Sequence, residues 1–200
     1  MSALESYRAM LRDVIGPALR EAGLRGSRGR WSLRTPAGDH GIVELRTSPA
    51  SSRIEVQFQV TLAVAPAAWL DFRATRGMRA PRGGPRAADG VWREHLSLDS
   101  PLVARFRAAD RGWWVITDSP YAEGVGPVVA DLLVEVALPR LRALLDREAL
   151  CRELRGRTDL TARQGSAALC ADTTRTATHA PQRREARRGP RGGESVGRVR

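Results

Sequence analysis

Three polar residues with alternating spacing, His95, Ser97 and Asp99, are of the types that form a Ser/His/Asp catalytic triad. Residues two apart on a strand share a face but stand about 7 Å apart, too far for direct side-chain hydrogen bonds. The segment also has no sharp nucleophile turn and no recognisable source of oxyanion-binding N–H groups. We therefore interpret these residues as the polar side of an exposed strand edge and predict no catalytic residue.

No motif in the chain indicates a cofactor or a metal ion. Gly124-Val125-Gly126-Pro127 precedes an apolar helical pattern, but Pro127 removes a backbone N–H that a phosphate loop would need. We interpret it as the entry to a helix. Five acidic residues between positions 94 and 123 lack the spacing of a calcium-binding loop and are read as solvated charges. These residues are Glu94, Asp99, Asp110, Asp118 and Glu123.

The chain has two cysteines, Cys151 and Cys170. Neither has a cysteine or histidine close to it in sequence. The spacing matches no zinc-binding motif and no disulfide framework of a small secreted domain. The sequence therefore predicts neither.

Three tryptophans are candidate partner-binding residues: Trp92, Trp113 and Trp114. Adjacent residues on a strand point to opposite faces, so Trp113 and Trp114 cannot both enter the same core. An exposed tryptophan is a side chain typical of partner-binding hot spots. The interpretation that we favour for Trp113 and Trp114 is that both are packed in the core, with a helix covering the second of them.

Two arginines in a Gly- and Pro-rich loop, Arg82 and Arg86, are a second set of candidate partner-binding residues. Arg82-Gly83-Gly84 and Arg191-Gly192-Gly193 resemble the repeats of RNA-binding arginine–glycine segments. Two isolated copies without interleaved aromatic residues are also expected by chance from this composition.

These residues must be positioned by an α+β fold. Apolar residues from Leu4 to Leu19 recur at three- and four-residue steps, which predicts a helix with a kink or break at Gly16-Pro17. Residues 54 to 64 alternate between apolar and polar, which predicts a long half-buried strand. The apolar side consists of Ile54, Val56, Phe58, Val60, Leu62 and Val64.

Shorter alternating runs predict further strands near Trp31, Ile42, Trp92 and Trp113, and a short helix spans Ala67 to Arg73. Helices follow at Pro127 and Pro139. Because the gaps between strands are turn-sized, we expect an antiparallel sheet of about five strands. The N-terminal and C-terminal helices are expected to pack on one face.

The apolar periodicity ends near Leu154, so we predict an α+β domain at residues 1–155 and a disordered arginine-rich tail at 156–200. The net charge is +11, and the sequence contains no lysine among its 33 basic residues. This arginine bias is typical of a GC-rich bacterial genome and weakens the case for nucleic acid. The charged, amphipathic first 24 residues lead us to expect no signal peptide, and no apolar run in the sequence is long enough to cross a membrane. We therefore expect a cytoplasmic protein.

Five short stretches, taken in order, resemble the bacterial domain-of-unknown-function family 4304 over residues 5–147. They are Gly23-Leu24-Arg25-Gly26-Ser27, Phe58-Gln59-Val60-Thr61-Leu62, Trp92-Arg93-Glu94, Asp110-Arg111-Gly112-Trp113-Trp114 and Ala137-Leu138-Pro139-Arg140-Leu141. The chain has Leu24 where that family often has Phe, and Thr61 where it often has Asn. The resemblance implies the α+β fold and implies no activity.

Three function classes remain open from the sequence. The leading prediction is a non-catalytic accessory domain that binds another protein through its sheet or helix surface. The second is a nucleic-acid-associated protein acting through the arginine-rich tail. The third is an enzyme or small-ligand binder whose site is assembled from residues distant in sequence. Oligomeric state does not follow from the sequence.

Overall fold

The computed structural model describes residues 2–96, 113–118 and 124–170. Their strands are β1 (Arg25–Ser27), β2 (Arg30–Arg34), β3 (His40–Thr47), β4 (Glu55–Ala65), β5 (Trp92–His95) and β6 (Trp114–Thr117). Their α-helices are α1 (Ala3–Met10), α2 (Gly16–Glu21), α3 (Ala67–Ala74), α4 (Val125–Leu132), α5 (Leu138–Ala143), α6 (Arg147–Arg155) and α7 (Leu160–Cys170). A 3-10 turn spans Ala87–Asp89, and π-helical segments span Leu11–Ile15 and Leu133–Ala137.

The strands form one antiparallel sheet in the order β1-β2-β3-β4, as the turn-sized gaps predicted. The far edge of β4 is shared, because β5 pairs with residues 61–64 and β6 pairs with residues 55–58. The α+β class is therefore confirmed, with six strands in the described residues where about five were predicted. The additional strand, β1, is three residues long and has no buried side chain, so it leaves no apolar pattern.

The N-terminal and C-terminal helices cover one face of the sheet, which is the predicted arrangement. The apolar side of β4 lies in this core from Val56 to Val64. Phe58 packs between a tilted Tyr7 ring at 5.3 Å and a stacked Trp114 ring at 6.2 Å. Burying each such large side chain contributes about 1.5–3 kcal/mol. Ile54 was expected on this side, but it lies before β4 and is 67% exposed.

The expected kink at Gly16-Pro17 is a π-helical segment rather than a break. The Gly16 N–H donates to the Leu11 carbonyl, which closes a five-residue step where an α-helix would close four. Pro17 then occupies the first turn of α2, directly after the π-helical segment. Leu138-Pro139 follows the second π-helical segment in the same way.

The predicted domain boundary at residue 155 is wrong, because residues 156–170 belong to the fold. α7 packs closely on the domain through small residues, and its Gly165 lies against Val91. A disulfide joins Cys151 on α6 to Cys170 on α7, with Cα atoms 5.8 Å apart, which corrects the expectation that these cysteines are unpaired. Because α7 packs mainly through small residues, its sequence shows no periodic pattern of large apolar residues. The rest of the predicted tail, residues 171–200, lies outside the described residues.

Candidate functional site

A row of polar side chains crosses the sheet on the face opposite the helices. Arg30, Glu44, Thr61 and His95 stand directly opposite one another on β2, β3, β4 and β5. A hydrogen bond joins Thr61 Oγ1 and His95 Nδ1 at 3.1 Å, and Thr61 is the one hydrogen-bond partner of His95 within the described ranges. Ser97 and Asp99 lie outside those ranges. The structure thus places His95 beside a threonine on the neighbouring strand.

We call the space above this row the open-face cleft, which has a volume of about 640 Å³. Its floor is the sheet, one wall is the segment from Ala87 to Val91, and the other is the start of α7. Arginines and carboxylates line it together, and two of its charged residues are bound to neighbouring groups of the protein. Arg157 donates to Asp159 at 3.0 Å and to the Arg93 carbonyl at 3.1 Å. Glu44 accepts from the Ala87 N–H at 2.7 Å.

The tryptophans offer less surface than predicted. Trp92 is fully buried and Trp114 is 3% exposed, because both side chains point to the helix-covered face of the sheet. Their cross-strand neighbours on β4 are Val64 and Phe58. Trp92 Nε1 also donates to Glu153 at 3.3 Å. The interpretation of Trp92 and Trp114 as partner-binding residues is therefore wrong for this structure. Trp113 is half-buried just before β6 and keeps some surface.

Arg82 and Arg86 lie in a loop that folds over the edge of the open face, and both are exposed. The loop is held there because Arg30 donates to the Gly83 carbonyl at 3.1 Å. Arg86 lines a shallow depression of about 320 Å³ together with Arg28 of the β1–β2 turn. The structure therefore brings Arg86, but not Arg82, close to the β1–β2 turn.

A second cleft, of about 590 Å³, lies on the helix side between the N-terminal helix and the β1–β2 turn. Four arginines line it, so we call it the arginine cleft. They are Arg8, Arg12, Arg20 and Arg28. Its floor is formed by Leu11, Gly16 and Trp31. These residues were not singled out in the sequence.

Three of the four arginines come from one stripe of the N-terminal helix. Arg8, Arg12, Gly16 and Arg20 follow one another at four-residue steps. In a straight α-helix such a stripe would drift around the axis, since one turn takes 3.6 residues. The π-helical segment Leu11–Ile15 winds more slowly and offsets this drift. The four-residue spacing is visible in the sequence and indicates that these arginines share one side of the helix.

The fourth arginine, Arg28, is held in an unfavourable backbone conformation. Its φ is 53°, and it is the one non-glycine with positive φ in the described part of the chain. Arg28 and Gly29 form the two-residue turn between β1 and β2, where both positions need positive φ and Asn or Gly is preferred. Such outliers concentrate at functional sites.

The arginine cleft has an unbalanced positive charge. No carboxylate lines it. Arg12 is paired with Asp13 through hydrogen bonds of 2.7 and 2.6 Å, which raise the pKa of Arg12 and lower that of Asp13. Arg8, Arg20 and Arg28 have no ion pair with any described residue. Arg guanidinium groups in this state suit a carboxylate or phosphate, which they bind with two parallel hydrogen bonds.

Trp31, which lines the arginine cleft, contains a buried polar atom. The residue is 1% exposed, and its Nε1–H has no acceptor among the described residues. A buried donor in this state costs about 1–3 kcal/mol. The cleft thus combines three arginines that have no ion pair with a described residue and an apolar floor, with the unsatisfied indole N–H buried beneath that floor.

Comparison with protein-family models, curated proteins and solved structures finds no match to this chain. The resemblance to family 4304 therefore stays a prediction, and function must be argued from the geometry. Within residues 2–96, 113–118 and 124–170, no three His, Cys, Asp or Glu side chains converge to hold a metal ion. No helix within those residues has the length and apolar character needed to cross a bilayer.

Proposed function

We propose that this domain is a non-catalytic binding module that holds a small anionic molecule in the arginine cleft. The observation that carries the proposal is the meeting of Arg8, Arg20 and Arg28 around one cleft. None of the three has an ion pair with a described residue, and no described carboxylate lines the cleft. Holding like charges together costs free energy, and a bound anion removes that cost.

The strained turn supports the same function. Arg28 occupies a position where asparagine or glycine would be less strained, so its presence there costs about 1–2 kcal/mol. The turn points this arginine toward the helix stripe, where it completes the cleft. The open-face cleft supports an anion site less well, because Arg157 and Glu44 already bind groups of the protein itself.

The two macromolecular partners expected from the sequence remain predictions. A protein partner has Trp113 as its remaining aromatic candidate, and nucleic acid has the exposed Arg82 and Arg86. Binding of a phosphodiester chain to the arginine cleft is therefore included as an outcome of the test below.

Titration of the full chain with inorganic phosphate, followed by amide NMR, tests the proposal. The double variant R8Q/R28Q should weaken phosphate binding at least about tenfold, since each lost charge-assisted hydrogen bond contributes about 1.5–3 kcal/mol. The control R46Q/R93Q removes the same charge from the open-face cleft and should leave the affinity within about twofold.

Equal losses in the two variants would show that net charge alone attracts phosphate, and the proposal would be wrong. The same pair of variants is titrated with a short single-stranded oligonucleotide. If the oligonucleotide binds far more tightly than phosphate and depends on Arg8 and Arg28, the cleft serves a nucleic-acid backbone instead of a small molecule.

A further inference from the structure

The cations of the arginine cleft are spread along the N-terminal helix rather than gathered at one point. Arg8 and Arg20 lie on the same stripe of that helix, twelve residues apart. At the rise of an α-helix, their Cα atoms are separated by about 18 Å along the axis. The two arginines therefore belong to different parts of the cleft.

The guanidinium of Arg20 lies about one turn before its own Cα. A Cβ atom built on Gly16 would lie 3.7 Å from Arg20 Nη2, so the guanidinium stands beside the bare backbone of Gly16. This direction is usual, because helical side chains lean toward the N-terminus of their helix. The same Cβ would lie 2.8 Å from the Leu11 carbonyl oxygen, so a larger residue does not fit at position 16. Arg20 thus marks one end of the cleft, at the level of Gly16.

Arg28 marks the other end, close to Arg8. β1 packs against α2 and leads into the turn formed by Arg28 and Gly29. A Cβ atom built on Gly29 would lie 3.8 Å from Leu11 Cδ1, which places this turn about one helical turn from Arg8. Arg8 and Arg28 therefore form one cationic end of the cleft, and Arg20 forms the other.

The middle of the cleft is neutral in the described part of the chain. Arg12 lies between the two ends on the same stripe, but Asp13 holds its guanidinium through two hydrogen bonds of 2.7 and 2.6 Å. Leu11, which is half-buried, adds an apolar lining at this level. A single inorganic anion bound at one end would therefore leave the other cationic end without a counter-charge.

From this arrangement we infer that the ligand carries two anionic groups joined by an uncharged spacer. The inference rests on the function proposed above and adds the shape of the ligand to it. One anionic group binds Arg8 and Arg28, the other binds Arg20, and the spacer passes over Leu11. The separation of the two groups is about 7–12 Å, which is the axial distance from Gly16 to Leu11 and to Arg8.

Terminal diphosphonates of increasing length test the inference, because they vary the distance between two anionic groups. The full chain is titrated by calorimetry with methylphosphonate, methylenediphosphonate and the terminal diphosphonates of butane, hexane and octane. At least one of the three longer compounds should bind about tenfold more tightly than methylphosphonate, since its second group binds at a high effective concentration. Methylenediphosphonate is the control for charge. Its two groups are too close together to reach both ends, so its affinity should stay within about threefold of that of methylphosphonate.

Arg20→Gln separates the two ends of the cleft. In this variant the longer diphosphonates should bind within about twofold of methylphosphonate, because their second group has lost its partner. The affinity for methylphosphonate itself should change less than about twofold, since Arg8 and Arg28 remain. Arg53→Gln, at an exposed arginine that does not line the cleft, is the matched control and should keep the tenfold preference.

The outcomes distinguish this inference from the proposed function. If the longer diphosphonates bind no more tightly than methylenediphosphonate, while methylphosphonate binding depends on Arg8 and Arg28, the inference is wrong and the proposed function stands. A length preference that persists in Arg20→Gln would place the second anionic group elsewhere and would also overturn the inference. If none of the probes binds, the proposed function itself is wrong.

Discussion

The arginine cleft and the open-face cleft have similar volumes, about 590 and 640 Å³, and both contain arginines. In the open-face cleft Arg157 pairs with Asp159, whose pKa is lowered by the Ala162 N–H and then by Arg157. In the arginine cleft no carboxylate is within the lining. The difference shows that the number of basic residues does not identify an anion site. The relevant property is whether carboxylates share the lining, as Glu44, Glu94 and Asp159 do in the open-face cleft.

The two clefts also differ in how they are assembled. The arginine cleft is built from residues 8–31, which are one helix and the next hairpin. The open-face cleft takes its residues from segments 44–61, 87–95 and 157–161, which are far apart in sequence. We therefore expect changes in α7 and in the Ala87–Val91 segment to affect the open-face cleft and to leave the arginine cleft intact.

The largest expected effect comes from the disulfide that fastens α7. Cys151 and Cys170 are 19 residues apart, so the double variant C151S/C170S should lose about 3 kcal/mol of unfolding free energy. Urea denaturation measures this loss. Hydrogen exchange should become faster in α7, at the wall of the open-face cleft, and stay unchanged at residues 8–31. If hydrogen exchange became equally faster at both clefts, the two clefts would not be structurally independent.

The loop that covers part of the open face should depend on Asp89. One carboxylate oxygen pairs with Arg73 at 2.9 Å, and the other accepts the Arg86 N–H at 2.8 Å. Asp89→Ala leaves the poorly exposed Arg73 without its partner and should cost about 2 kcal/mol. Thermal and urea unfolding provide the measurement. Asp131→Ala, at an exposed aspartate on α4, should stay within about 0.5 kcal/mol of the original protein.

Arg28→Asn should stabilise the fold and weaken the site at once. Asparagine tolerates the positive φ at this turn, so we expect a gain of about 0.5–1 kcal/mol in unfolding free energy. Phosphate affinity should fall, because one cation leaves the arginine cleft. Arg79→Asn, in an exposed loop, is the control and should change neither quantity. A variant that loses stability would show that Arg28 is placed by the fold rather than by binding.

The smallest effect is a pH dependence from His40, at the covered end of the open face. Burial lowers the pKa of His40, and the nearby Arg34 lowers it further, while Asp39 acts in the opposite direction. The unfolded chain therefore binds the proton more readily, so stability falls as pH drops below about 6.5. Urea denaturation between pH 7.5 and 5 should show this fall, and His40→Gln should reduce it. His40→Gln should leave the affinity of the arginine cleft for phosphate unchanged.

Much of the sheet could be predicted because its signal is local. The alternation of residues 54–64 is a direct record of a strand with one buried face, and turn-sized gaps favour antiparallel pairing. β1 and α7 were missed for one physical reason. β1 has no apolar side chain, and the large apolar residues of α7 are Leu160 at its start and Leu169 near its end. Neither element therefore leaves a periodic apolar pattern, even though each pairs with or packs against its neighbours.

The candidate site was missed for a different reason. Its arginines are exposed, and exposed arginines are ordinary on a basic protein surface. The four-residue stripe through Arg8, Arg12, Gly16 and Arg20 was visible, but Arg28 and Trp31 come from the following hairpin. The residues that the sequence did single out were mostly placed elsewhere, as Trp92 and Trp114 are in the core.

The sequence by itself determined the fold class, the long strand and the helices that share one face, since apolar periodicity is set by which side of each element meets the core. Tertiary structure alone decided three things. It brought Cys151 to Cys170, placed α7 against Val91, and set Trp31 beneath unpaired arginines. Each depends on distances between elements, and such distances are fixed by packing rather than by spacing along the chain.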